Sequence, residues 1–507
     1  MLRRLLLVLL VLLVALTGVL VGKTLMIPEY QSPRIQVQAV PAFDADKVKS
    51  RLAEAIRIRT ISWQDGASAQ DIAASHDAFV AFRDWITKTY PAFSKATSRE
   101  IIGDYSLLYK WPGSDPSLKP ILLMAHMDVV PVAPGSEDDW THAPFSGDIA
   151  DGFVWGRGSL DLKVALVCQL EAVEALIDSG FQPRRTIMFA FGHDEELGGE
   201  DGNKKIAALL EARHLKFEFI HDEGGAVTHG ILPGIDRPVA HVGVAEKGYV
   251  SLKITAHGTG GHSSLPSPIG ETAIGRLARA LQRIEDAPFE SHVDGVSRAF
   301  LERLMPAMSF GPRFAIANLW LLEPVISRLM SLSPTIGALI RTTGAPTMIQ
   351  GGIKENVLPS EATLTMNFRI HERDSIARVI EHVRNAIDDD QVDVSVMKGS
   401  LEPSPVSNVD GPQYELIKAT LEKVVPDVVV APNLISGGSD SRHFINLTSN
   451  IFRHIPVEVR LEDLHGFHGT NERVRVSSVL QVANFYRELI KAADGALPPA
   501  QDDQRLQ

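Results

Sequence analysis

Pro120-Ile-Leu-Leu-Met-Ala-His126-Met-Asp128 is a short apolar run that ends in an imidazole and a carboxylate. Two later runs repeat the design. Thr186-Ile-Met-Phe-Ala-Phe-Gly192 leads into Asp194, Glu195 and Glu196, and Phe217-Glu-Phe-Ile-His-Asp222 leads into Glu223. Short apolar runs bounded by polar or glycine residues read as buried strands. Helical stretches separate them, such as Lys163 to Asp178, which stops before Gly180. This alternation predicts an α/β fold with a central, mostly parallel sheet. In such a sheet the carboxyl ends of the strands line one edge, where ligands bind.

Upstream, Asp46 to Ile58 and His76 to Tyr90 read as helices. Downstream the texture changes. Tyr249 to Thr255 and Ala362 to Ile370 alternate like half-buried strands, Ser375 to Asp388 is helical, and Val392 to Met397 is a further strand. We read residues 246–400 as a smaller α+β domain inserted into a larger body formed by 44–245 and 401–495. Within it, 291–343 is an apolar helical segment containing Phe310, Phe314 and Trp320. The α/β texture resumes with Val428 to Ala431 and Asn450 to His454, and closes with a helix from Ser477 to Ala493. Pro498 to Gln507 reads as disordered.

The N-terminus is set apart. Arg3 and Arg4 precede an uncharged run from Leu5 to Gly22, about the minimum for a spanning helix. A cleaved signal has the same charged start but a shorter apolar region and a small-x-small site. We read 1–26 as an uncleaved signal-anchor, with secretion the outcome if it is cleaved, and 27–43 as a linker. The paired arginines would stay cytoplasmic, which puts the remainder outside the cytosol, in a periplasmic, extracellular or lumenal space. A formal net charge of -12 argues against nucleic-acid binding. Cys168 is the one cysteine, so no intramolecular disulfide forms, and it reads as a small core residue.

A lone His-x-Asp, or two adjacent glutamates, is most often a solvated surface feature. Here each acidic group stands at the end of a buried run, and Gly156-Arg-Gly-Ser-Leu-Asp161 is a Gly-rich turn entering a helix between the first two. Carboxylates brought to one sheet edge repel one another, and protonation or a bound cation resolves the repulsion. Mixed imidazole and carboxylate donors without thiolate suit catalytic zinc, with manganese or cobalt also conceivable.

The chain resembles the aminoacylase/carboxypeptidase family of co-catalytic zinc peptidases, which includes acetylornithine deacetylase and succinyl-diaminopimelate desuccinylase. The resemblance rests on His126-Met-Asp-Val-Val-Pro131, Trp155-Gly-Arg-Gly-Ser-Leu-Asp161, His193-Asp-Glu-Glu-Leu-Gly-Gly199, His221-Asp-Glu-Gly224, Gly261-His262-Ser-Ser264 and His468-Gly-Thr-Asn-Glu472. Phe191 to Gly199 and Gly437-Gly-Ser-Asp-Ser-Arg442 are most similar to the carboxypeptidase S branch, which also holds N-fatty-acyl-amino-acid synthase/hydrolases. The resemblance implies a zinc-peptidase domain with a ferredoxin-like lid and dimerisation domain, and a homodimer. It implies two Zn2+, one held by His126 and Asp222, the other by Glu196 and His468, with Asp161 bridging both. Asp128 would bond the far nitrogen of His126, Glu195 would act as general base, and His262 would stabilise the oxyanion. Arg369 and Arg442 are candidates for clamping a substrate carboxylate, with a structural ion pair as the other reading of each. Asn356 is a candidate beside the oxyanion, or a turn residue. His465 competes with His468 as a ligand, and only the His-Gly-x-Asn-Glu context favours the latter. His193 and His221 read as neighbours of ligands. Where relatives commonly have Asp-Asp-Lys, this chain has Asp161-Leu162-Lys163.

The implied activity is hydrolysis of the amide bond of an N-acyl amino acid or a small peptide with a free carboxylate. A carboxypeptidase or dipeptidase with no lipid-like substrate is the alternative, and a non-catalytic binding protein on the same fold is a remoter one. The apolar segment 291–343 either walls a channel for an acyl chain, rests on the membrane, or forms an extra helical layer or dimer contact.

Overall fold

The structure, a computed structural model, describes residues 1–32, 42–64, 66–232, 234–265, 268, 270–495 and 497. Most of the expected linker 27–43, and the C-terminal segment from Pro498, lie outside the described residues.

The run that opens the argument is the strand Ile121–His126, buried at every position. It pairs in parallel with Ile187–Gly192 on one side and Ile220–Asp222 on the other, and the latter pairs in parallel with Ile451–Arg453. The helix Lys163–Asp178 links the first two strands and Asn203–Ala212 leads to the third, which is what parallel neighbours require. Both faces of the sheet are covered, so the runs are continuously apolar. Leu123 and Phe189 face the helices Lys163–Asp178 and Val476–Ala493, while Leu122 and Met188 face Asn203–Ala212.

The full sheet has ten strands and is mixed, with a parallel centre and antiparallel pairings toward its edges. Ser98–Ile102 and Ser106–Trp111 join at one edge through antiparallel pairings, and Val239–Glu246 meets Ile451–Arg453 antiparallel on the other side. The reason for the first departure is local: only a short turn separates the two edge strands, so they form a hairpin.

Residues 248–396 build a second sheet of four strands, all antiparallel. Its elements run strand, helix, strand, strand, helix, strand, from Gly248–His257 to Val392–Val396, the ferredoxin-like order. Val250, Leu252 and Ile254 point to one face, where the helices Ala273–Asp286 and Ile376–Ile387 close a separate core. The apolar segment is inserted between the first helix and second strand, as the helices Gly295–Leu304, Phe310–Ala317 and Leu319–Ser331.

The N-terminal helix Leu2–Leu25 is long and apolar enough to cross a membrane. Its C-terminal turns pack on the inserted segment: Leu20 and Thr24 are buried, and the Asn318 amide donates to the Leu20 carbonyl at 3.2 Å and to Thr24 Oγ1 at 3.3 Å.

Candidate metal centre

The carboxyl ends of the parallel strands deliver the cluster. His126 ends its strand with its ring almost fully buried. Its Nε2 lies 3.1 Å from Asp161 Oδ1 and 3.4 Å from Glu223 Oε1. The other oxygen of Asp161, Oδ2, lies 3.1 Å from His468 Nε2, which is 3.3 Å from Glu196 Oε2. One carboxylate therefore stands between two imidazoles, each with a second carboxylate beside it.

Asp161 is presented by the Gly-rich turn, whose backbone is held from the far end of the chain. Glu472 is buried and accepts amide hydrogens from Gly158 at 3.0 Å, Leu160 at 2.8 Å and Asp161 at 3.2 Å. It also pairs with Arg157 at 2.6 Å. The Asp161–Leu162 peptide is cis. Leu162 is buried in the main core, so its departure from the acidic pattern is absorbed by packing. Lys163 Nζ donates to the carbonyls of Ala55 and Ile58, tying the turn to the helix Ala45–Arg57.

Asp128 does more than orient His126. Its Oδ1 is 3.3 Å from His126 Nδ1, although the Asp128 carbonyl is nearer at 3.0 Å. The same carboxylate accepts the amides of Glu195 at 3.2 Å and Glu196 at 3.1 Å, and the Ser62 hydroxyl at 2.6 Å. It thereby fixes both the imidazole and the loop that carries the two glutamates. That loop ends at Gly199, whose φ is +69° and where a Cβ would meet Asp440 Oδ1 at 2.0 Å. The second glycine of Leu-Gly-Gly is required by this approach.

At the end of the third strand two adjacent carboxylates, the expected ligand Asp222 and its neighbour Glu223, are placed differently. Asp222 is buried, and its Oδ2 accepts the Ser441 amide at 3.0 Å. Glu223, one residue beyond the strand, is the side chain that reaches His126 and Asp161. Two adjacent carboxylates at a strand end cannot be told apart by pattern, because the turn after the strand decides which one faces the edge. Glu472 carried no assigned role in the sequence, although it closes the His468 string. His193 bonds Ser106 Oγ at 2.6 Å, and His221 packs against Phe485 and Tyr486, so both stand outside the cluster. His465 lines a separate polar hollow with Asp463 and Asn471.

Burial depresses the His126 pKa, but Glu223, Asp128 and Asp161 outweigh it and raise the value well above the usual range. Burial raises Glu195 and Glu223 well above ordinary carboxylates. Hydrogen bonds to Asp161 and Glu196 lift His468 to about 10. Among the described residues, no lysine or arginine pairs with Asp161, Glu195, Glu196 or Glu223, and Glu196 Oε1 is buried without a hydrogen-bond partner. Crowded buried carboxylates with imidazole nitrogens, and no lysine or arginine beside them, fit metal ions. The donors form three groups, of which two share Asp161: His126, Asp161 and Glu223, and Asp161, Glu196 and His468; the third is His126, Glu195 and Glu196.

The remaining candidates lie at greater remove. Arg442 Nη2 donates to the Gly198 carbonyl at 3.0 Å, beside the Glu195 loop. Arg369 lies over the Tyr249 ring, 4.9 Å from its centroid. His262 is exposed, and its Nδ1 is 2.7 Å from Ser264 Oγ. Its neighbour in the short ladder is Val357, which brings it close to Asn356, whose carbonyl accepts the Ser263 amide at 3.1 Å.

Known proteins agree with this architecture. A family model described as peptidase family M20/M25/M40 matches residues 122–492. The chain is 41% identical to a probable carboxypeptidase S-like 2 of Dictyostelium discoideum, over 88% of this chain and 85% of that protein. It is 38% identical to the N-fatty-acyl-amino acid synthase/hydrolase PM20D1 of Xenopus tropicalis, over 97% and 96% respectively. Among solved structures, the M20 family metallo-carboxypeptidase Sso-CP2 of Sulfolobus solfataricus superposes with a TM-score of 0.61 at 17% identity, covering 88% of this chain and 99% of that one. With its fold, sheet-edge cluster and similarity along most of its length in accord, the chain belongs to peptidase family M20/M25/M40, a family of metal-dependent hydrolases.

Proposed function

We propose that the protein is a two-zinc amidohydrolase that cleaves the amide bond of N-acyl amino acids or small peptides bearing a free carboxylate. The observation that carries this reading is Asp161, with one oxygen 3.1 Å from His126 Nε2 and the other 3.1 Å from His468 Nε2. One ion would be held by His126, Asp161 and Glu223, and the other by Asp161, Glu196 and His468, with manganese or cobalt able to replace zinc. When bound, the metal pair supplies Lewis acidity toward water and the scissile carbonyl.

The protein's own groups do the rest. Glu195, whose burial makes it an unusually strong base for a carboxylate, takes a proton from the attacking water and gives it to the leaving nitrogen. Asp128 keeps the Glu195 amide and His126 in fixed relation. Arg442 and Arg369 clamp the substrate carboxylate, a task suited to a planar bidentate donor. His262, exposed and close to Asn356, stabilises the developing oxyanion, and it does so at the site of a second copy in a homodimer. The helix Leu2–Leu25 spans a membrane and holds the catalytic body outside the cytosol.

The similarity to both carboxypeptidase S-like and N-fatty-acyl-amino acid hydrolase proteins supports amide chemistry beside a carboxylate. The test is an assay of the zinc-loaded full chain in detergent against long-chain N-acyl amino acids and dipeptides, with Glu195→Gln as the blank. Chelator-sensitive release of amino acid from the acyl substrates is expected. Turnover of dipeptides alone would make the protein a peptidase, and silence on both panels would overturn the reading.

A further inference from the structure

The helix Leu319–Ser331 is apolar on both of its sides. Leu319 and Ile326 are buried in a cluster with Val239 and Val429 of the large sheet. On the opposite side Leu321, Val325, Leu329 and Leu332 form a stripe spaced at i, i+4, i+8 and i+11 and exposed to 41%, 58%, 62% and 76%. Trp320 at 59% and Phe310 at 52% extend the patch. A helix on a water-facing surface carries a polar outer face, so this one is built for a different surrounding.

Its position says which. The same segment receives the end of the N-terminal helix through Asn318, Leu20 and Thr24. Every residue from Leu2 to Val19 is exposed, and the first buried residue is Leu20. That free stretch of about eighteen residues measures about 27 Å at 1.5 Å per residue, close to the roughly 30 Å of a hydrocarbon core. The segment thus meets the helix at the level where the hydrocarbon ends, where Trp and the stems of Lys and Arg are at home. Lys23 and Arg328 are both exposed. Beyond the helix, the Tyr30 amide donates to the Pro306 carbonyl at 3.0 Å and the Tyr30 hydroxyl bonds the Val428 carbonyl, so the catalytic body is tied to the helix end.

We infer that the face formed by Phe310, Trp320, Leu321, Val325, Leu329 and Leu332 is a second membrane contact, seated in the interface of the leaflet from which the N-terminal helix emerges. This rests on the spanning role given to that helix. The body is then held at the bilayer by two elements rather than swinging on a tether, which suits a substrate that partitions into lipid.

The experiment uses the full chain in lipid bilayers, with an environment-sensitive fluorophore at Val325→Cys or, separately, at Val11→Cys. Cys168 is buried and does not compete for the label. Spin-labelled lipids quench fluorophores that touch the bilayer at the depth of the nitroxide. The expected result is at least twofold quenching at position 325 by a label near the headgroups, with weaker quenching by one near the bilayer centre. Quenching at 11 but none at 325 would overturn the inference and leave the spanning helix intact. An unquenched but blue-shifted label at 325 would overturn it too, by showing that a second protein copy covers the face. No quenching at either position would remove both readings.

Discussion

Glu472 holds the Arg157 guanidinium at 2.6 Å in the interior, although the two residues are 315 positions apart in the chain. The same carboxylate accepts the backbone amides of Gly158, Leu160 and Asp161. The turn that presents the Asp161 carboxylate, shared by two donor groups, is therefore built by the C-terminal part of the chain, next to His468.

Glu472→Gln should cost stability and metal together. Removing one member of a buried ion pair leaves the other charge uncompensated, which is worth about 3 kcal/mol or more. The urea midpoint is expected to fall, and metal content after dialysis to drop below that of the wild type. A variant with an unchanged midpoint would show that the pair is not a structural support of the turn.

Glu223 and Asp222 can be separated by metal analysis. Glu223→Gln is expected to lose about one equivalent of tightly held metal, since a carboxylate ligand is removed. Asp222→Asn should keep both equivalents, because Asp222 bonds the Ser441 amide rather than facing His126. The opposite pattern would restore Asp222 as the ligand.

Glu195→Gln should abolish turnover while sparing the metals. Loss of a general base costs about 10²–10⁴-fold in rate. Steady-state kinetics on a hydrolysed substrate, paired with metal analysis, checks this. Wild-type turnover by the variant would move the proton transfer to another group.

His262→Ala should lower kcat without moving the thermal midpoint. The ring is exposed and bonds Ser264 Oγ, so its removal leaves no cavity. Unchanged kcat would make it a surface residue of the short ladder.

Acid should weaken the fold through two buried histidines. Burial lowers His241 to about 4 and His454 to about 3, so both are neutral in the folded protein. The unfolded chain, with values near 6.5, binds protons first as the pH falls. Stability from these groups is complete above about pH 6.5 and is lost progressively as the pH falls toward about 3. Urea midpoints at pH 7 and pH 5 measure it, and His241→Gln should flatten the slope. Equal midpoints would place both rings in contact with solvent.

The sequence by itself determined where the strands Ile121–His126, Ile187–Gly192 and Ile220–Asp222 lie, because strands buried on both faces leave continuous apolar runs. It also determined that imidazole and carboxylates gather at one sheet edge, since each run ends in such a group. The alternation of Val250, Leu252 and Ile254 marked the smaller sheet in the same way. What only the tertiary structure decided lies past strand ends and between distant segments. The turn after Asp222 brings the Glu223 carboxylate beside His126, because periodicity stops where hydrogen-bonded pairing stops. The antiparallel edges follow from which strands meet across the sheet. Glu472 finds the Gly-rich turn, and the apolar segment finds the N-terminal helix, only because folding brings together residues about 300 positions apart, a pairing that no local pattern encodes.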